Sequence, residues 1–117
     1  MYSSDRLGGH SPSDTKRIRR AVFAREKNRC ACGCRRWITD ETGRLDHFFG
    51  RGKVPQAISN CWALAIPCDE LKTQNKPSAA QWLQRFAWHC GKHGYAAERE
   101  LALAKLNVLT AKRLVRW

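Results

Sequence analysis

The chain has 117 residues, 43% of them hydrophobic, which suits one compact domain. No run of about 18 apolar residues occurs, which argues against a membrane-spanning helix, and the first residues, Met1 to Arg6, hold no apolar leader, which argues against secretion and predicts a cytoplasmic protein. A formal net charge of +12 points to a polyanionic partner, and six cysteines without a leader point to metal or free thiols before disulfides.

Residues 1–12 are polar, with Gly8, Gly9 and Pro12, and read as a flexible lead-in to a domain spanning 13–117. Ser13 is a candidate N-cap, and Asp14 suits the positive end of a helix. From there to about Asn28, Ile18, Ala21 and Val22 recur at helical spacing, while Lys16, Arg17, Arg19, Arg20, Lys27 and Arg29 occupy the rest. Such a basic face is either a solvated surface or a phosphate-contacting one. Cys30, Cys32 and Cys34 form a tight knuckle around Gly33. Trp37, Ile38 and Thr39, then Thr42 and Gly43, suggest a short strand and a turn. Residues 45–49 read as a strand, and Gly50, Arg51 and Gly52 open a loop through Pro55.

A second strand is expected over residues 60–66, with Pro67 breaking it and a helix starting near Asp69 and Glu70, acids suited to its N-terminus. Pro77 and Ser78 begin another helix, in which Trp82, Phe86 and Cys90 share a face beside Leu83 and Ala87. Those aromatics read as core, and Gly91 and Gly94 are expected to end the helix. A last helix is expected from Ala96 to about Lys105, with Val108, Leu109, Val115 and Trp117 extending its apolar positions and Asn107 and Thr110 weakening them.

The charge is unevenly placed. Residues 14–36 hold nine basic residues against two acidic, residues 105–117 hold four basic and no acid, and residues 37–100 are near balance with eight basic and seven acidic. Basic arms around a balanced centre are the pattern of an enzyme that neutralises phosphates at its flanks and does chemistry between them.

That centre carries Asp46-His47, Asn60, and Cys68-Asp69 followed by Lys72-Thr73. A carboxylate binds a hard divalent cation, and an imidazole with an ordinary pKa of about 6.5 can take a proton from water. Together they are the parts of a metal-dependent phosphodiesterase. The stretch resembles the HNH endonuclease family, whose fold is a ββα-metal hairpin plus helix, over about residues 28–76. Family members typically show Asp-His ending the first strand, Asn opening the second, and Cys-x-x-Cys-His leading into a helix that carries Lys-Thr.

The resemblance implies an α+β fold with a ββα-metal core between N-terminal and C-terminal helices. It implies that His47 is the general base, that Asn60 positions it, and that Asp46 holds Mg²⁺ or Mn²⁺. Arg51 and Lys72 would contact phosphates of double-stranded DNA. A compact nuclease of this kind would suit a phage or mobile element.

Two departures from the family pattern stand out. The family's last His is Asp69, an oxygen ligand that favours Mg²⁺ or Mn²⁺ over softer metals. Ala65 stands where one Cys of a Cys-x-x-Cys pair would be, so a structural zinc site would draw on Cys68 with Cys30, Cys32 and Cys34. Cys61, Cys90 and His93 compete as ligands. The alternative reading is a non-catalytic, zinc-stabilised nucleic-acid-binding protein in which Asp69 marks a lost active site. His10, His89 and His93 have no catalytic context.

Overall fold

The computed structural model describes residues 12–49 and 58–115. The element order is α1 (Pro12–Arg25), β1 (Gly43–His47), a 3₁₀ turn (Ile58–Asn60), β2 (Cys61–Ala65), α2 (Ile66–Thr73), α3 (Ala79–His93) and α4 (Ala96–Val115). Four helices and a two-stranded antiparallel sheet make an α+β protein. The chain divides into two compact units, the first ending at Asp69 and the second starting at Glu70, so the boundary falls inside α2.

In the first unit, α1 opens at Pro12, one residue before the expected cap. Proline suits a first turn because its fixed φ is already helical and its missing N–H would have no intrahelical acceptor. The helix closes at Arg25, earlier than its apolar spacing suggests. Lys27 and Asn28 both turn left-handed, at φ 56° and 58°, and Asn28 N–H returns to the Phe23 carbonyl at 3.1 Å. That bond satisfies a carbonyl the helix end would otherwise leave open. The chain then forms a short hairpin closed by an isolated bridge between Arg29 and Trp37.

β1 and β2 pair antiparallel, with Leu45 opposite Ala63, Asp46 opposite Trp62 and His47 opposite Cys61. All five residues of β2 are buried, and α1 packs on this strand. Val22, Phe23, Ile38, Trp62 and Leu64 supply the large buried apolar side chains of the unit. Arg25 ties α1 to the sheet by donating to the Ile58 carbonyl at 3.0 Å and the Cys61 carbonyl at 2.7 Å. Pro67 does not separate strand from helix. The chain passes from Ala65 straight into α2 at Ile66, with Pro67 in the first turn, where its lack of an N–H costs nothing.

The second unit is built on α3 and α4, which pack against each other. Ser78 caps α3 by accepting from Gln81 N–H at 3.1 Å. Gly94 ends it in the left-handed conformation at φ 79°, while Gly91 stays inside the helix. The expected apolar face of α3 is buried from Trp82 to Cys90, and Trp82 Nε1–H finds the Lys76 carbonyl at 2.8 Å. α4 continues past Lys105 to Val115. Thr110 is accommodated because its hydroxyl donates to the Leu106 carbonyl one turn earlier, at 3.0 Å. Among the described residues, no helix is long and apolar enough to cross a membrane.

Candidate metal centre and the strand hairpin

Cys30, Cys32 and Cys34 are drawn together by a loop that the Arg29–Trp37 bridge closes at its base. Cys30 N–H donates to the Arg36 carbonyl at 2.8 Å, and Ile38 N–H to the Asn28 carbonyl at 2.9 Å. Inside this frame Gly33 and Arg35 both take left-handed φ values, 102° and 66°. Two such turns fold three alternating cysteines toward one point, where an extended chain would send them all along one side. Ala31 N–H donates to the Ala63 carbonyl at 2.9 Å and fastens the knuckle to β2.

The fourth thiol comes from Cys68, in the first turn of α2. Its Sγ lies 3.7 Å from that of Cys34, and Cys30 and Cys32 are 3.4 Å apart. All four sulfurs lie within 4.8 Å of one another. A tetrahedral zinc site with Zn–S bonds of about 2.3 Å has S···S edges of about 3.8 Å. The donor set and its spacing therefore fit a structural metal ion such as zinc. Four soft sulfurs and no carboxylate disfavour Mg²⁺ or Ca²⁺.

Two of the four thiols are held in their neutral form by their surroundings. The hydrogen bond with Cys32, then burial, hold the Cys30 thiol far above its ordinary range. Burial, and then the neighbouring Cys30, push Cys68 up to about 12. A bound cation would offset both effects at Cys30 and Cys68 by stabilising their thiolates. Position 65 contributes through its backbone instead of a thiol: Ala65 N–H donates to Cys30 Sγ at 3.3 Å. Such a bond favours the thiolate form, and no side-chain pattern could have announced it. Cys61 and Cys90 are fully buried and stand outside this cluster.

No family model, curated protein or solved structure matches the chain. What the site can do rests on its own geometry.

The thiol cluster meets the Ala65 end of β2, and His47 pairs with Cys61 at the other end. His47 ends β1 and is half-buried. Asn60 is fully buried just before β2, and its Oδ1 accepts from Phe49 N–H at 3.2 Å, two residues beyond His47. Phe48 N–H donates to the Asn60 carbonyl at 2.9 Å, so this one residue holds the chain on the far side of His47 at two points. Strand alternation puts Arg44 and Asp46 on one face of β1 and Leu45 and His47 on the other.

Asp46 accepts from Trp62 Nε1–H at 2.8 Å across the sheet. Asp69, in the first turn of α2, is in an ion pair with Arg44 at 3.2 Å. Asp46, His47 and Asp69 do not form a cluster of three ligand atoms among the described residues. One oxygen of each carboxylate is engaged by a side chain of the sheet, Asp46 by Trp62 and Asp69 by Arg44. Lys72 is half-buried on α2, and Arg51 lies outside the described residues. The Arg44–Asp69 and Trp62–Asp46 contacts are what sequence reading missed. The first joins residues 25 apart, and the second follows only from the strand register.

Proposed function

We propose that this protein is an HNH-type endonuclease that hydrolyses DNA phosphodiester bonds, with a zinc-braced ββα core. The observation that carries the reading is the order and placement of the chemical groups. β1 ends on His47, Asn60 clasps the two residues after it, and β2 leads without a loop into α2, which carries Asp69. The thiol cluster joins the knuckle to the first turn of that helix.

In this reading His47 is the general base: its neutral imidazole takes a proton from the attacking water. Asn60 is a positioning residue that acts through the backbone of Phe48 and Phe49. The basic α1 supplies sequence-neutral affinity for the phosphate backbone. HNH enzymes use a divalent cation such as Mg²⁺ or Mn²⁺, and Asp46 and Asp69 are its candidate oxygen ligands. No catalytic step is assigned to the ion here, since Arg44 and Trp62 hold both carboxylates.

That same pairing favours a second reading. A chain whose two candidate ligands are committed to Arg44 and Trp62 is also what a non-catalytic, zinc-stabilised nucleic-acid-binding protein would show. Plasmid nicking separates the two. Wild-type protein with Mg²⁺ or Mn²⁺ should nick supercoiled DNA, and His47→Ala should lose at least about 100-fold of that activity, the usual contribution of a general base. Wild-type protein that binds DNA yet nicks nothing with either ion sinks the enzyme reading and leaves the binding one.

A further inference from the structure

Trp37 is 67% exposed, although indoles are usually buried in a chain of this size. It is not loose. It is bridged to Arg29 across the base of the knuckle, and the Arg29 guanidinium lies 3.9 Å from the centre of its ring. Arg29 is fixed in turn by donating to the Arg35 carbonyl at 3.1 Å. An aromatic held rigid at the surface, with a cation stacked against it and most of its area open, is arranged to receive another flat group.

The surroundings say which flat group. Residues 27–37 carry Lys27, Arg29, Arg35 and Arg36 and no acid, and all four are exposed. These four cations exceed the net charge of −2 that four thiolates around a Zn²⁺ ion would carry. The neighbouring Ile38 is buried, so it adds no exposed apolar area beside Trp37.

A groove of about 720 Å³ lies along α1, lined by Lys16, Arg19, Arg20, Asn28, Ile38 and Asp40 among others. Trp37 and Arg29 do not line it, although their chain neighbours Asn28 and Ile38 do. Asp40 opposes the basic lining only in part, because it is paired with Arg19 at 3.7 Å.

We infer that Trp37, with Arg29 behind it and Arg35 and Arg36 beside it, is a stacking site for an unpaired nucleobase of a DNA strand whose nearby phosphates these cations neutralise. This deepens the nucleic-acid reading above and names its substrate class as DNA with single-stranded character. Bases inside a duplex are already stacked on each other and present no open face to an indole, whereas an unpaired base does.

The test measures binding of the full zinc-loaded chain to a short oligothymidine and to a duplex of mixed sequence, by fluorescence anisotropy without added Mg²⁺ or Mn²⁺. Trp37→Ala should weaken oligothymidine binding by about 10-fold or more and leave duplex binding within about twofold. Trp37→Phe should keep most of the single-strand affinity. Unchanged oligothymidine binding in the alanine variant overturns the inference, and so does an equal loss on both DNAs with zinc content intact.

If the alanine variant does not fold, Trp37→Leu against Trp37→Phe asks the same question at similar volume, and equal affinities overturn it. Because no cleavage is read, this failure is separable from that of the nuclease reading. A chain that stacks a base but never nicks retains the stacking site, and one that nicks duplex with Trp37 irrelevant retains the nuclease.

Discussion

At the scale of single residues, the thiols make the sharpest demand. Cys30→Ser or Cys68→Ser should take the bound zinc from about one ion per chain to nearly none and lower the melting temperature, because metal binding and folding share one free energy. Cys61→Ser should leave the zinc content unchanged, since Cys61 stands outside the cluster. Metal analysis of the purified variants decides this, and a Cys61 variant that loses zinc would refute the ligand set.

A pH dependence follows from the same residues. With Cys68 held to about 12 and Cys30 higher, these two thiols keep their protons throughout the neutral range, and zinc must displace them. Zinc affinity should therefore fall as pH falls, by at least about two log units per pH unit, one for each of these two displaced protons. A chelator competition between pH 6 and pH 8 reads the slope, and a flat profile would show that the thiols are already ionised. In the metal-free chain the raised values act in the opposite direction: the contribution to stability is full below the ordinary thiol value of 9.0 and is lost as pH climbs toward about 12.

At the scale of elements, the seam between α1 and the hairpin depends on the lack of a side chain at Gly43. A Cβ there would sit 2.9 Å from Phe23 Cε2 and 3.1 Å from Ile38 Cβ, and both neighbours are buried. Gly43→Ala should destabilise the protein by about 1–3 kcal/mol through overpacking. An unshifted urea midpoint would show that the Phe23 ring can move aside.

The elements also show what a sequence can and cannot reveal. α3 was readable because Ser78, the spacing of Trp82, Phe86 and Cys90, and Gly94 all act locally. β1 and β2 were readable within two residues for the same reason. The early end of α1 was not, because it depends on two consecutive left-handed residues whose identities, Lys27 and Asn28, do not demand that conformation. Pro67 misled because a proline that ends a strand and one that opens a helix look alike in sequence. The convergence of Cys68 with the knuckle followed from thiol chemistry and motif spacing. The commitment of Asp46 to Trp62 and of Asp69 to Arg44 did not, because it depends on strand register and on a fold-brought pair.

At the scale of the whole molecule, the charge of +12 has to act through particular places. The segment 14–36 alone carries nine basic residues against two acidic. Within it Arg25 is occupied with Glu26 and two backbone carbonyls, and Arg29 is stacked on Trp37. Lys16 and Arg20, by contrast, project from α1 into solvent along the groove. If DNA binds there, each phosphate contact releases condensed counterions, and the logarithm of affinity should fall with the logarithm of salt by about 0.9 per contact.

Replacing Lys16 and Arg20 together with Gln should therefore weaken duplex binding at low salt and flatten the salt slope by about two, with no change in zinc content. The slope is the informative quantity. A general loss of stability would lower affinity without removing phosphate contacts and would leave the slope unaltered. A slope that stays at the wild-type value would move the phosphate-binding surface away from α1. The charge excess would then have to act through other basic residues, such as Lys27, Arg35 and Arg36 near Trp37 or those of 105–117.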